Sequence, residues 1–153
     1  MQLGEVYYHQ GAEEIWDKEK QKDWLLNLMN NQSILIAPRI TNDIRAYLRN
    51  ELILGGWSNE TNLSIDTDLT ISAKKDRFAI QIQTGNICRA PYDFLKLQYL
   101  YLEGDIQASA LIVPSKQAAK KIGSNIAHFE RLKKELQLFK KIITVPMVLI
   151  SFD

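Results

Sequence analysis

The stretch Arg77-Phe78-Ala79-Ile80-Gln81-Ile82-Gln83-Thr84-Gly85-Asn86 decides how this chain is read. Phe78, Ile80 and Ile82 alternate with Ala79, Gln81 and Gln83, the period of two expected when successive side chains of a strand point to opposite faces. The two glutamines therefore stand side by side on one face. Upstream, Leu63 to Ala73 alternates in the same way, so the two segments are expected to form a hairpin with Arg77 to Thr84. A two-residue turn at Lys75-Asp76 sets Leu69 opposite Ile82, Ile71 opposite Ile80 and Ala73 opposite Phe78. On the other face it sets Asp68 across from Gln83 and Thr70 across from Gln81, an arrangement that any slip of register would change.

Helical spacing governs the chain before this hairpin. Ile15, Trp16, Leu25 and Leu28 share a face over about Ala12 to Met29. A second helix starts with Thr41 as N-cap, carries Ile44, Tyr47, Leu48 and Leu52, and stops at Gly55-Gly56. Pro38 makes the intervening Ile34 to Ala37 a short strand or loop. After the hairpin, Pro91 suits the first turn of a helix ending at Gly104, whose apolar residues are too many to leave exposed. Ala108 to Val113 reads as a strand buried on both faces. Ser115 caps a basic helix running toward Lys121, a further helix spans about Asn125 to Phe139, and Val145 to Phe152 forms a final strand. With no repeat or linker, residues 1–153 read as one mixed α/β domain.

Composition narrows the functional classes. With 153 residues and 46% hydrophobic content, the chain can bury a core without disulfides or a structural metal. The lone Cys88 has no partner, no apolar run approaches a membrane span, and the N-terminus lacks the pattern of a secretion signal, so a cytoplasmic setting is expected. The net charge of +1 conceals sorting: residues 1–30 hold six acids against three lysines, whereas 114–141 hold eight bases against two acids. Such asymmetry permits a phosphate-facing surface, although solvated helix faces account for it equally well. His9, His128 and Cys88 have no ligand-spaced partners, and Gly55-Gly56 lacks the continuation of a nucleotide-binding loop.

The run from Lys75 to Gln98, with Glu103-Gly-Asp-Ile106 and Ala110-Leu-Ile-Val-Pro-Ser-Lys116, resembles the BglII/BstYI group of type II restriction endonucleases, relatives of BamHI in the PD-(D/E)xK superfamily. The resemblance covers roughly residues 55–150. It implies a restriction-endonuclease-like α/β fold, with a central mixed β-sheet flanked by helices. It also implies double-stranded DNA as partner, a homodimer or a heterodimer with an active subunit, and Mg2+ as cofactor if the centre is active. Residues 90–139 are the expected interface.

Phosphodiester hydrolysis of this kind uses Mg2+ to stabilise transition-state charge and to activate water, and Mg2+ prefers carboxylate oxygens. The group carries an Asp on the first hairpin strand and a Glu-x-Gln on the second. Carried over by position, the Glu falls on Gln81, the Gln on Gln83 and the Asp on Ser72. Both acidic positions have therefore lost their charge, which implies a degenerate, non-cutting centre. Alternatively, Asp68 serves as a migrated metal ligand with Gln81 beside it, supported by Glu51 from the second helix. A deliberate Glu-to-Gln exchange would explain Gln81 but not Ser72. For DNA contact the candidates are Lys74, Lys75 and Arg77 at the hairpin tip, Asn86 and Arg89 before the next helix, and Lys116, Lys120 and Lys121. Asn and Arg can read base edges bidentately, whereas the lysines suit phosphates.

Overall fold

The structure, a computed structural model, describes residues 1–153. Its centre is β6 (Ala108–Pro114), in which every residue is buried. No polar face exists on this strand because neighbours and helices cover it on all sides. β5 (Phe78–Ile82) and β7 (Met147–Phe152) flank β6 in parallel. β1 (Leu3–His9) pairs antiparallel with β7, and β4 (Ala73–Lys75) antiparallel with β5, giving the order β1-β7-β6-β5-β4.

The alternation of β5 sorts the two cores. Phe78, Ile80 and Ile82 face α1 (Ala12–Lys18), α2 (Lys22–Asn27) and α3 (Thr41–Leu54), packing with Trp16, Leu25, Ile44 and Leu48. Trp16 lies against Phe78 with ring centroids 4.5 Å apart. Ala79, on the opposite face, joins a second core with Phe94, Leu97 and Leu100 of α4 (Ala90–Leu102) and Phe129, Leu132 and Leu136 of α6 (Phe129–Leu138). α5 (Lys116–Ile122) follows β6, and Ser115 caps it by accepting from the Ala118 N–H. No helix is long and apolar enough to cross a membrane.

Several expectations change in detail. The helix expected over Ala12 to Met29 is two helices, because Lys20 adopts a left-handed φ of 56° between them. Strand β1 is additional. The segment Ile34 to Ala37 is a loop, and Thr41 is the first residue of α3, whose N-cap is Ile40. The hairpin differs most. Its first arm is broken into β3 (Thr70–Ile71) and β4, with a bend at Ser72, and β3 pairs with β2 (Thr61–Asn62) in a separate two-stranded sheet.

The expected register is also displaced by two residues. Lys75 pairs with Phe78 and Ala73 with Ile80, because the turn falls on Asp76-Arg77. Asp76 takes a φ of 50°, a conformation Asp tolerates better than most residues. A shift of two keeps every side chain on its face and changes only its partner. Ser72 replaces Thr70 across from Gln81, and Asp68 moves into the exposed turn region between β2 and β3.

Candidate DNA-facing centre

Gln81 and Gln83 project from the end of β5 toward the first turn of α4, where they meet a carboxylate: Asp93. Gln81 Nε2 donates to Asp93 Oδ1 at 2.8 Å, and Gln83 Nε2 to Asp93 Oδ2 at 2.5 Å. Lys96, one turn further along α4, places its ammonium 2.7 Å from Asp93 Oδ1 and donates to the Thr70 carbonyl at 2.9 Å. All three polar residues of this knot are buried or nearly so: Asp93 is 3% exposed, Gln81 8% and Gln83 6%. A carboxylate in the first turn of a helix is favoured by the helix dipole, and the remaining burial cost is met by charge-assisted hydrogen bonds.

The backbone fixes which way the amides face. Ser72 N–H donates to Gln81 Oε1 at 3.0 Å and the Ser72 hydroxyl to the same atom at 3.2 Å. Ser72 Oγ in turn accepts from the Ile82 N–H at 3.0 Å, so the side chain fills the gap in the strand ladder. Gly85 N–H donates to Gln83 Oε1 at 2.8 Å. Because main-chain N–H groups can only donate, both glutamine carbonyls must point to them and both NH2 groups to Asp93. Gly85 permits this closeness, since a Cβ there would sit 3.2 Å from Gln83 Oε1.

Around this knot opens a cleft of about 640 Å3. Its charged lining comprises Arg45, Arg49, Arg89 and Lys96 against Glu60, Asp68 and Asp93, so cations prevail slightly. Arg45 Nε donates to Thr84 Oγ1 at 2.8 Å, which steadies the guanidinium beside the glutamines, while Arg49 pairs with Glu60 at 2.6 Å. Asn86 and Arg89 also line the cleft. Asn86 Oδ1 caps the 3-10 turn Ile87–Arg89 by accepting from the Cys88 N–H, so the turn fixes where both residues stand.

The other candidates are placed apart. Lys74, Lys75 and Arg77 lie at the far end of the hairpin, roughly 13–20 Å along the strand from Gln83 at about 3.3 Å per residue. Lys74 pairs with Asp105 at 3.3 Å and Lys75 donates to the Gly55 carbonyl at 2.8 Å, so the structure does not bring them to the cleft. Lys116 and Lys120 border a smaller depression of about 240 Å3 with Ile87 and Arg131. The hydrogen bond that Arg131 Nε donates to Glu135 raises the pKa of Arg131 above its ordinary value. Lys121 is exposed on the same helix. Glu51 stands near Tyr47, whose pKa is raised by burial and then by the Glu51 charge; α3 supplies the cleft with arginines instead of that carboxylate.

These donors do not fit a Mg2+ site. Asp68 lines the cleft, but no three His, Cys, Asp or Glu side chains come together there to hold a metal. Both glutamine carbonyls already accept main-chain N–H groups, and Lys96 occupies the side of Asp93 that a cation would take. Asp93 and Lys96 went unnoticed in the sequence, yet a signal existed: Asp93 shares a helix face with Leu97 and Leu100, an apolar face where a charge requires a partner.

The comparisons with known proteins agree with this architecture. The chain aligns over its whole length with restriction endonuclease BglII complexed with a DNA 16-mer, at TM-score 0.81 and 13% identity, covering 78% of that chain. With free BglII the TM-score is 0.72 at 15% identity, again over the whole of this chain and 80% of the other. No curated protein sequence matches. The sequence profile described as restriction endonuclease BglII/BglIII matches residues 4–152. The chain therefore belongs to the BglII/BglIII restriction endonuclease family and has its fold.

Proposed function

We propose that this protein recognises duplex DNA through the cleft around Gln81 and Gln83 and does not cut it. The observation that carries this reading is the pair of glutamine amides turned onto Asp93, with Ser72 at the remaining acidic position. Asn86 and Arg89 supply base-edge contacts, Arg45 and Arg49 hold phosphates beside the centre, and Lys116, Lys120 and Lys121 extend the phosphate track. The BglII structure with the higher likeness contains DNA, which supports the choice of ligand. In this reading the chain acts as one domain, either as the non-cutting partner of an active subunit or as a regulatory DNA-binding protein.

A dimer accompanies this reading. The outer face of α4 exposes Tyr92, Leu95, Tyr99 and Leu102, and the first three of these with Leu63 and Leu69 border an apolar groove of about 410 Å3. A second copy or the active subunit covers it, matching the two-fold symmetry of palindromic sites. The competing function, Mg2+-dependent cleavage with Asp68 as ligand, draws on the presence of Asp68 in the same cleft.

Fluorescence anisotropy with a pool of labelled duplexes tests the reading directly. Affinity is expected to fall steeply as salt rises from about 50 to 200 mM, since several phosphates are neutralised. Absence of duplex binding even at the low-salt end overturns it, leaving a fold retained for protein contacts alone.

A further inference from the structure

We propose that the Lys96 ammonium takes the place of the divalent cation at this centre, so that duplex binding does not respond to Mg2+. The inference rests on the non-cutting reading above and adds how the DNA backbone is held. Lys96 is a partly sheltered lysine, its side chain 11% exposed, fixed between α4 and the β2/β3 sheet by Asp93 Oδ1 at 2.7 Å and the Thr70 carbonyl at 2.9 Å. An ammonium has three donors, and the hydrogen bond Lys96 donates within the chain goes to the Thr70 carbonyl, with Asp93 Oδ1 beside it as an ion pair. Donor capacity is left over, and Lys96 lines the cleft beside Arg45 and Arg89. A phosphodiester oxygen is an anion of the right chemistry to accept from it.

The geometry also explains why a metal is not admitted. Mg2+ takes oxygen ligands at about 2.0–2.1 Å in a nearly octahedral set. At this centre the carbonyls of Gln81 and Gln83 are held by Ser72 and Gly85, and the amide nitrogens face Asp93. Turning either amide over would set its NH2 against a main-chain N–H. Asp93 alone remains, and one ammonium already balances its charge. A dication would have to expel Lys96 and rotate both amides.

The test uses Mn2+ as the probe. In the intact protein, titration with Mn2+ to about 1 mM, the range of weak carboxylate sites, is expected to leave the Gln81 and Gln83 side-chain NH2 resonances unbroadened. Lys96→Met frees Asp93 and is expected to broaden both at tenfold lower Mn2+. Lys96→Gln is used in the same way if the Met variant melts early. In parallel, duplex affinity of the intact protein should change less than twofold between Mg2+ and EDTA at matched ionic strength, and fall about tenfold in Lys96→Met. Selective broadening in the intact protein, a tenfold rise in duplex affinity with Mg2+, or no gain of Mn2+ binding in either variant overturns the inference. If no duplex binds, the DNA-recognition reading fails while the Mn2+ arm still decides the role of Lys96.

Discussion

Restoring a carboxylate at position 81 should weaken the fold in a way that depends on pH. Gln81→Glu keeps an acceptor for the Ser72 N–H but replaces the NH2 that reaches Asp93 Oδ1 at 2.8 Å with an oxygen. Loss of one hydrogen bond to a charged group costs about 1.5–3 kcal/mol. Repulsion adds to this, about 4 kcal/mol for two unit charges 4 Å apart at an effective dielectric near 20, before Lys96 offsets part of it. The total is capped, because the introduced carboxyl can take a proton and then donate to Asp93. From an unfolded pKa near 4.3, holding that proton at pH 7 costs about 3.7 kcal/mol. The expected loss at pH 7 is therefore about 1.5–3.7 kcal/mol.

The sign of the pH effect follows from linkage. The folded variant holds its extra proton more tightly than the unfolded chain, so its stability declines as pH rises above about 4.3. At pH 5 the capped loss shrinks to about 1 kcal/mol. Urea denaturation followed by circular dichroism, at pH 5 and pH 7 in EDTA, measures both values for the parent and the variant. A deficit at pH 7 below about 0.5 kcal/mol, or one that does not shrink at pH 5, would refute the Asp93 contact. Either result would mean that the two side chains do not face each other.

Other perturbations probe the same account. Asp93→Ala strips a buried partner from two amides and a lysine, so unfolding free energy should drop by about 3–5 kcal/mol in urea titrations. Adding Ser72→Asp to Gln81→Glu gathers three carboxylates; Mn2+ at a hundredfold excess over its Kd should then recover about 2.7 kcal/mol, read as a shift in thermal midpoint. Arg89→Ala should weaken binding of a preferred duplex by about 1–3 kcal/mol and relax sequence preference in a selection from randomised sites. Lys120→Ala/Lys121→Ala should lower the salt slope by about two, whereas Lys74→Ala/Arg77→Ala should leave it unchanged.

The fold was legible where one kind of contact dominates the choice of residue. Ala108 to Val113 reads as a central strand because full burial leaves Ser109 as its one polar side chain, and Ser115 reads as a cap because the next helix needs its first N–H groups satisfied. Strand β1 was not legible, since only half of its surroundings are protein and its pairing with β7 spans nearly the whole chain. The break at Lys20 carries neither Gly nor Pro. In the hairpin, patterning settled the faces but not the partners: a shift of two residues leaves all apolar side chains inside, and the left-handed Asp76 made the choice.

The centre was legible in part for the same reason. Gln81 and Gln83 declared themselves by position on one strand, Ser72 through the family resemblance, and Asn86 and Arg89 by lying next to that strand. Asp93 and Lys96 come from a helix, and only the packing of α4 over the end of β5 joins them to the glutamines. Their arrival changes the electrostatic argument: the centre has a carboxylate after all, but one already matched by a lysine and two amides.

The central claim is most directly tested by incubating the unmodified protein with mixed-sequence supercoiled plasmid and Mg2+ or Mn2+, resolved on agarose beside Asp68→Ala. The account predicts plasmid that stays supercoiled with either metal, while mobility shifts show that duplex is bound. Discrete linear fragments from the unmodified protein, lost in Asp68→Ala, would contradict it and make Asp68 the ligand of a working nuclease.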